Sequence, residues 1–256
     1  MGILRWVKAA ISKAAFDFTG WLYLIGILTN PFFLVRKNLY IQVKELSREL
    51  SGNVLDFGCG CKPYQKYFSH CSSYMGCDIE ISGHRHENEN IDVFYDGRNL
   101  PFEDDYFDGV FSTEVFEHIF NLDEIISEIS RVMKEGGMLL VTVPFVWNEH
   151  EVPYDCARYT SFGIKALLER EGFVVIEQRK STNYVEMVFQ MAIEYIRARI
   201  DGRKFNNYMR LMLYVLLIVP LTVCGLVMGK ILPCDYGWYG DNVVLCRKVG
   251  KGEKTK

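Results

Sequence analysis

Residues 53–60 read Asn-Val-Leu-Asp-Phe-Gly-Cys-Gly, a stretch in which a short apolar strand runs into an acid and two glycines. Because glycine has no Cβ and tolerates positive φ, Gly58 and Gly60 allow a ligand to approach the backbone closely. The carboxylate of Asp56 suits a ligand that carries an ammonium or a hydroxyl group. Taken alone, these residues are also compatible with a strand and a tight turn that bind nothing.

Two common ligand-binding loops do not fit this stretch. A dinucleotide-binding loop has a third glycine where this chain has Pro63, after Cys61 and Lys62. A phosphate-binding loop has the pattern G-x-x-x-x-G-K-[ST], which the segment lacks. The two glycines therefore predict a ligand site of another kind.

Downstream of the loop, apolar strands alternate with amphipathic helices. We predict strands at 74–78, 91–95, 107–112, 138–143 and 173–176. One helix is expected from a capping box at residues 121–124 to a stop at Lys134, Gly136 and Gly137. A second helix is expected from Thr160 to Gly172. This alternation predicts βα units, an α/β fold and a doubly wound sheet. Asp78 ends the second predicted strand, at the position where related folds bind ribose hydroxyls.

In these segments the chain resembles the class I S-adenosylmethionine-dependent methyltransferases, in particular the methyltransferase type 11-like group. The matching text is VLDFGCGCKPY, GCDIE, YDGRNLPFEDDYFDGVFSTEVFEHI and EISRVMKEGGMLLVTVPF, in that order. The resemblance covers residues 36–180 and a last strand near 242–249. It implies a Rossmann-like seven-stranded sheet with an antiparallel last strand, and S-adenosylmethionine (SAM) as the cofactor.

The resemblance also implies roles for single residues. Asp56, Gly58, Cys59 and Gly60 are expected at the methionine part of the cofactor, Asp78 and Ile79 at its ribose, and Asp96, Gly97 and Leu100 at its adenine. Ser112, Thr113 and Glu114 are expected to face both the methionine end and the acceptor. These positions lie at the carboxyl ends of predicted strands, where open α/β sheets bind ligands.

Methyl transfer is an in-line displacement, for which orientation alone can contribute roughly 7–11 kcal/mol. A hydroxyl acceptor also benefits from a base, and the candidates are His150, Asp155 and His118. The stretch 150–160 resembles the H-x-x-P-x-D-x-x-R-[YF]-T pattern of family members associated with surface polysaccharides and lipid-linked substrates. In it, Tyr154, Arg158 and Tyr159 are expected to bind the acceptor. The alternatives are a loop tied by an Asp155–Arg158 pair and a structural histidine at 118.

Charge and cysteine usage point away from other classes of function. We expect no metal site, because His84 and His86 lie in a polar loop without a cysteine partner and no C-x-x-C occurs. The net charge of -3 gives no reason to expect a nucleic-acid partner. Cysteines on predicted strands, such as Cys77 and Cys246, suit a reducing compartment.

About sixty residues, 181–240, separate the last two predicted strands, and within them residues 211–228 are uncharged and apolar. That length borders on the roughly 17–25 residues that a membrane-spanning helix needs. Both ends of this insert must return to the same sheet, so we expect a re-entrant or interfacial helical hairpin bent near Pro220. Five basic residues precede the apolar stretch 211–228, and anionic lipid would attract them: Arg197, Arg199, Arg203, Lys204 and Arg210.

Three domains follow from this pattern. Residues 1–35 are predicted to be an amphipathic membrane-surface segment, residues 36–180 and 241–250 the methyltransferase domain, and residues 181–240 a membrane-associated apolar insert. The cofactor places the protein at the cytoplasmic face of a membrane, as a peripheral, monotopic or re-entrant protein. The alternative is a soluble cytoplasmic protein whose apolar helices form a cap or a dimer contact.

Three functions are compatible with the sequence. The first is SAM-dependent methyl transfer to a lipid or lipid-linked acceptor, such as a glycan on a lipid carrier, at the membrane surface. The second is methylation of a soluble small molecule or sugar, with the insert as a lid or dimer contact. The third is a non-catalytic, membrane-associated binding module on the same fold. The acceptor atom and the oligomeric state do not follow from the sequence.

Overall fold

The computed structural model describes residues 18, 20–80 and 89–249, and the chain divides into two compact units. The sheet unit takes in Gln42–Lys180 and Asp241–Lys256. The helical unit takes in Met1–Ile41 and Ser181–Gly240.

The sheet unit contains a seven-stranded sheet with the order β3-β2-β1-β4-β5-β7-β6. Its strands are β1 (Asn53–Phe57), β2 (Ser73–Ile79), β3 (Val93–Tyr95), β4 (Phe107–Thr113), β5 (Met133–Pro144), β6 (Phe173–Lys180) and β7 (Asp241–Lys248). The pairs among β1 to β5 are parallel, and β7 is antiparallel to both β5 and β6. The predicted α/β, Rossmann-like sheet with an antiparallel last strand is confirmed.

The strand order reverses at β1, which lies between β2 and β4. In the register, Asp56 pairs with Gly76 on one side and with Phe111 on the other. Both faces of β1 are covered, and Val54, Leu55 and Phe57 are fully buried. The carboxyl ends of β1, β2 and β4 therefore meet at the switch point where such sheets bind ligands.

The described residues contain seven α-helices. They are α1 (Gly20–Thr29), α2 (Phe33–Leu46), α3 (Leu122–Val132), α4 (Ser161–Arg170), α5 (Tyr184–Asp201), α6 (Asn207–Leu213) and α7 (Val219–Ile231). Helix α3 packs its apolar face into the core of the sheet unit through Leu122, Ile125, Ile126, Ile129 and Val132, which is the spacing that the sequence predicted. Helix α4 begins as predicted, because the Thr160 side chain accepts a hydrogen bond from Gly163 N.

Helix α3 begins directly after Asn121, as predicted, but the predicted capping contact and the predicted end need correction. Asn121 makes no capping hydrogen bond to the backbone, and its amide donates instead to the Glu124 carboxylate at 2.9 Å. At the other end the chain passes directly from Val132 into β5, because Met133 is already extended. Gly137 is required within β5, since a Cβ there would lie 2.9 Å from the backbone oxygen of Asp108.

The helical unit is built from α1, the first part of α2, and α5 to α7 around a small apolar core. Its buried residues are Phe33, Leu34, Ile193, Ile200, Ile218 and Leu226. A buried polar contact also joins α2 to α5: Lys37 Nζ lies 3.3 Å from Glu186 Oε1, and Asn38 donates to Glu186 Oε2 at 2.6 Å. Because these groups satisfy one another, they can be buried without a large desolvation penalty.

The expected bend at Pro220 is wrong. The chain reverses between α5 and α6, at residues 202–206, whereas Asn207–Ile231 is one helical run of 25 residues. Pro220 lies inside this run, directly after a π-helical turn (Tyr214–Ile218). A π-helical turn alters the local hydrogen-bond ladder, so the helix continues past the proline. An 18-residue window within this run has a mean hydropathy of 2.6, and only 22% of that window is buried. Among the described residues the run is the one helix that is long and apolar enough to cross a membrane, a property that some core helices of soluble proteins share.

Two predictions fall largely or wholly outside the described residues. Of the segment 1–35, the structure describes residue 18 and residues from 20 onward, which include α1 with Trp21, Leu24 and Leu28 at least half exposed. His84 and His86 lie in the undescribed stretch 81–88.

Candidate active site

The glycine loop after β1 is fixed by hydrogen bonds to the end of β2. Gly58 N and Cys59 N both donate to Cys77 O, at 2.8 and 3.2 Å, and Gly60 N donates to Asp78 Oδ2 at 2.8 Å. Gly58 and Gly60 have φ values of 72° and 46°, in the left-handed region that favours glycine. A Cβ built on Gly60 would meet no atom within 4 Å. The loop therefore presents open space next to an acid.

That acid is Asp78, and both of its carboxylate oxygens accept backbone hydrogen bonds. Oδ2 accepts from Gly60 N of the loop, and Oδ1 accepts from Ile79 N at the end of β2, at 2.8 Å. A carboxylate offers about four acceptor positions. The two backbone contacts orient the carboxylate at the end of β2, where the sequence predicted that it binds the ribose.

Asp56 lies beneath the loop and is only 2% exposed. Tyr74 donates its hydroxyl hydrogen to Asp56 Oδ2 at 2.6 Å. Burial raises the pKa of Asp56 from its ordinary 3.8 to about 7, although the Tyr74 hydrogen bond and the charge of Lys62 oppose the increase. The carboxyl predicted to attract the methionine ammonium is thus enclosed and poorly solvated in this structure.

The raised pKa of Asp56 predicts a pH-dependent stability. Between pH 4 and 7 the unfolded chain releases this proton while the folded chain keeps it, so stability should fall by at most about 4 kcal/mol as pH rises through that window. Below and above the window the contribution of Asp56 is constant. Urea unfolding followed at several pH values should show a shallower decline for Asp56→Asn. Equal slopes in the two proteins would contradict the assignment.

Lys62 is a site residue that the sequence reasoning missed. In the sequence it is distinguished only by its place in the loop, just before Pro63. In the structure its side chain is 3% exposed and pairs with Asp92. Gly76 makes room for it, because a Cβ there would lie 2.1 Å from Lys62 Cε. The same Asp92 carboxylate accepts from Gly76 N at 2.7 Å. Lys62 therefore ties the loop to the segment before β3, and nothing in its spacing predicted this contact.

The predicted adenine side opens into a cavity of about 430 Å³. Its lining residues are Asp96, Gly97, Arg98, Phe120, Asn121 and Glu124. Asp96 accepts hydrogen bonds from Arg98 N and Asn99 N, which form a tight turn after β3. Leu100, predicted to border the adenine, instead lies in the core of the sheet unit, 3% exposed, with its N–H donating to Glu128.

The end of β4, which was predicted to line the methionine end of the cofactor, carries polar groups with little exposure. Ser112 is fully buried, and its Oγ has no hydrogen-bond partner. The hydroxyls of Thr113 and Thr142 are 2.9 Å apart, and Thr142 donates to Glu114 Oε1 at 2.8 Å. Burial, together with the nearby Asp241 and Glu117, raises the pKa of Glu114 well above its ordinary value.

The predicted base candidates come together beyond β4 and β5. A short turn, Phe116–His118, follows β4, and the segment after β5 lies on it: Cys156 N donates to Glu117 O at 2.8 Å. The rings of His118 and His150 are 4.7 Å apart, in edge-to-face contact. Burial lowers the pKa of His118, so its imidazole is neutral near pH 7.

Asp155 and the residues expected to bind the acceptor make hydrogen bonds within the protein. Arg158 holds Asp155 through both oxygens at 2.5 and 2.7 Å, and this pairing lowers the pKa of Asp155 to about 2. The carbonyl oxygen of Tyr154 accepts from His118, and that of Tyr159 accepts from Asn242. The structure therefore contains a loop tied by the Asp155–Arg158 pair, which was the alternative interpretation. Asp155 orients its neighbours and is not suited to accept a proton.

Glu117 precedes His118 in the turn after β4 and is a further base candidate by sequence, although it was not among the three preferred ones. It is fully buried, and burial raises its pKa to about 8. Neither of its carboxylate oxygens has a hydrogen-bond partner. The sequence does contain an indication of this role. An acid and a histidine follow β4, and β4 ends at the ligand-binding edge of the sheet.

Comparison with known proteins identifies the class. Residues 55–141 match a family described as "Methyltransferase domain". The chain is 36% identical over 104 residues to phthiotriol/phenolphthiotriol dimycocerosates methyltransferase 1 of Mycobacterium ulcerans, covering 37% of this chain and 38% of that protein. It is 28% identical over 170 residues to sterol 4-C-methyltransferase strm-1 of Caenorhabditis elegans, covering 56% and 51%. It is 34% identical over 131 residues to a mouse protein named probable tRNA methyltransferase 9B, covering 46% and 28%.

Solved structures show the same fold at low identity. The [4+2]-cyclase SpnF superposes with a TM-score of 0.51 at 20% identity, over 82% of each chain. Phosphoethanolamine N-methyltransferase 2 of Haemonchus contortus, in complex with S-adenosyl-L-methionine, superposes with a TM-score of 0.50 at 20% identity, over 94% of this chain and 57% of that one. Because one of the two is a cyclase, the fold alone does not specify the reaction.

Residues 55–141 of the sheet unit therefore form a methyltransferase domain, and the unit has the sheet of the class I S-adenosylmethionine-dependent methyltransferases. The open space at Gly60, the oriented Asp78 and the cavity beside Asp96 are compatible with S-adenosylmethionine, the cofactor that the sequence predicted. The chain spans about half or less of the length of the curated relatives described above.

Proposed function

We propose that the protein transfers a methyl group from S-adenosylmethionine to a lipid or lipid-linked acceptor, such as a lipid-carried glycan, at the cytoplasmic face of a membrane. The observation that carries this proposal is a long, exposed apolar helix on the same chain as a methyltransferase domain. Large apolar side chains on Asn207–Ile231 are exposed to solvent, including Leu211 at 62%, Leu216 at 61% and Ile231 at 70%. Soluble monomers rarely expose so continuous an apolar surface without a partner.

The flanking charges support a membrane over other apolar partners. Basic residues cluster where α5 turns into α6, among them Arg199, Arg203 and Lys204. Arg197 is neutralised locally, because Glu194 and Asp201 both pair with it. Basic side chains beside an apolar helix are attracted to anionic lipid by about 1 kcal/mol each.

The names of the relatives agree with a lipid acceptor, although they describe those proteins and not this one. Two of the three named above are methyltransferases of a phthiotriol lipid and of a sterol. The third is named for tRNA. Because binding to RNA depends on neutralising phosphates, a chain of net charge -3 is less suited to that acceptor.

The chain's own residues have distinct tasks in this proposal. The glycine loop and Asp56 border the methionine end, Asp78 holds the ribose, and Asp96 with Gly97 borders the adenine. When bound, the cofactor supplies an electrophilic methyl group on a sulfonium, which the acceptor's lone pair attacks as the C–S electron pair stays on sulfur. Holding the acceptor in line with that bond is the protein's main contribution.

Membrane binding can be measured by flotation with vesicles of phosphatidylcholine and of phosphatidylcholine with phosphatidylglycerol. We expect the wild-type protein to float with both kinds of vesicle and more strongly with the anionic one. The double variant Leu216→Glu, Val223→Glu should remain at the bottom of the gradient, because both exposed side chains would place a charge in the apolar region.

The matched control for flotation is Phe162→Glu, which makes the same kind of change at an 83% exposed position on α4 of the sheet unit. It should float as the wild type does. If the wild-type protein stays in the aqueous fraction with both vesicles, the membrane proposal is wrong. The soluble alternative, with the helix as a lid or dimer contact, would then be favoured.

A further inference from the structure

Three metal-ligating side chains converge at the carboxyl ends of β4 and β5. One ligand atom from each of Glu117, His118 and His150 lies within 4.8 Å of the other two. His118 and Glu117 come from the turn after β4, and His150 comes from the segment after β5. We propose that these three residues bind a divalent transition-metal ion.

The first observation that points to a cation is the state of Glu117. Its carboxyl group is fully buried, and neither oxygen has a hydrogen-bond partner among the residues that the structure describes. Its Oε1 is 3.6 Å from His118 Nε2, so the group is aimed at the other proposed ligands. A buried carboxyl without a partner is strongly unfavourable, and a bound cation is the partner that would satisfy both oxygens.

The second observation is the orientation of the two histidines. His118 Nδ1 lies 2.9 Å from the carbonyl oxygen of Tyr154, and His150 Nδ1 lies 3.2 Å from that of Asn148. Because a carbonyl oxygen can only accept, each Nδ1 carries the proton. In the neutral form of each ring, Nε2 is then the nitrogen without a proton, which is the one that can ligate a metal. This is the arrangement by which proteins fix the tautomer of a metal-bound histidine.

A second layer holds the ligands in place. Asp155 Oδ2 accepts from His150 N at 2.9 Å and lies 3.3 Å from His150 Nδ1. Arg158 in turn holds Asp155 through both oxygens. A carboxylate behind a ligating histidine is a common supporting contact in metal sites. The role of the Asp155–Arg158 pair is then to position His150.

The donor set indicates the kind of ion. Two imidazoles and one carboxylate suit a first-row transition-metal ion such as Zn²⁺ better than Mg²⁺ or Ca²⁺, which prefer oxygen ligands alone. Mn²⁺ is harder and binds such mixed sites more weakly than Zn²⁺ does. Three protein ligands leave at least one coordination position for water or for another oxygen. If the proposed function holds, that oxygen belongs to the acceptor, and the ion would lower the pKa of an acceptor hydroxyl.

Metal binding can be tested without any acceptor, so its outcome is separate from that of the proposed function. Full-length protein is treated with a chelator, and Mn²⁺ is titrated while the electron paramagnetic resonance signal of the free ion is followed. Mn²⁺ is chosen because it has little affinity for the exposed cysteines. We expect one Mn²⁺ per chain, and at least a tenfold weaker affinity in Glu117→Gln and in His118→Gln. Zn²⁺ measured by equilibrium dialysis should show the same dependence on both residues.

The matched control is His70→Gln, which removes a histidine of the sheet unit whose Nε2 contacts Leu50 O. It should bind Mn²⁺ as the wild type does, and circular dichroism should show all variants folded. SAM affinity, measured by calorimetry, should be unchanged in Glu117→Gln. If neither Mn²⁺ nor Zn²⁺ binds, or if binding survives both Glu117→Gln and His118→Gln, the site does not exist.

Discussion

Replacing Asp78 with alanine should strongly weaken S-adenosylmethionine binding. The carboxylate has two tasks, because it anchors Gly60 N at 2.8 Å and is positioned to accept the ribose hydroxyls. Hydrogen bonds to a charged group contribute roughly 1.5–3 kcal/mol each. Losing two of them should weaken binding by about 10² to 10⁴-fold, a loss that calorimetry would register as a much larger Kd or as no detectable binding.

Glu80→Ala is the matched control for Asp78→Ala, because Glu80 is an exposed acid that follows the same strand. Its SAM affinity should equal that of the wild type. The Asp78→Ala protein should retain its circular dichroism spectrum, which shows that the loss is local. Unchanged SAM binding by a folded Asp78→Ala protein would exclude the assigned cofactor site.

Replacing Gly58 with alanine should destabilise the protein more than the same change at Gly60. Both glycines have positive φ, which costs alanine about 1–2 kcal/mol. At Gly58 the new Cβ would also lie 2.3 Å from Val115 Cγ2, whereas at Gly60 it would meet nothing within 4 Å. Overpacking typically adds about 1–3 kcal/mol. Chemical denaturation should therefore place Gly58→Ala below Gly60→Ala by about that amount.

The Val115 contact can be isolated by a double-mutant cycle. Val115→Ala removes both Cγ atoms that the new Cβ would meet. Combining it with Gly58→Ala should restore part of the lost stability, so that the two changes cost less together than the sum of their separate effects. Strict additivity would mean that backbone strain at Gly58, and not the clash, accounts for the loss.

The sequence predicted the sheet because its signals are local. The run Val54–Leu55 before Asp56, the spacing of apolar residues through α3 and the Thr160 cap each depend on residues within a few positions of one another. The number of strands and the antiparallel direction of the last one then followed from the family resemblance. The positions of Gly58, Gly60 and Asp78 followed as well, because each is adjacent to the end of a strand.

Features that depend on long-range packing were not predictable in this way. Leu100 was expected at the ligand, but it is in the core because Glu128 on α3 holds its backbone. Glu117 and His150 lie far apart in the chain and meet only because β4 and β5 are neighbours. Pro220 was expected to bend the insert, and the π-turn that carries the helix past it has no sequence pattern.

The measurement that most directly tests methyl transfer to a lipid uses S-adenosylmethionine labelled in its methyl group. Purified full-length protein is incubated with it and with membranes of the cells that make the protein, and the products are partitioned between organic and aqueous phases. We predict label in the organic phase, and none there with Asp78→Ala. Label found only in RNA or in water-soluble products, with the organic phase unlabelled, would contradict a lipid acceptor.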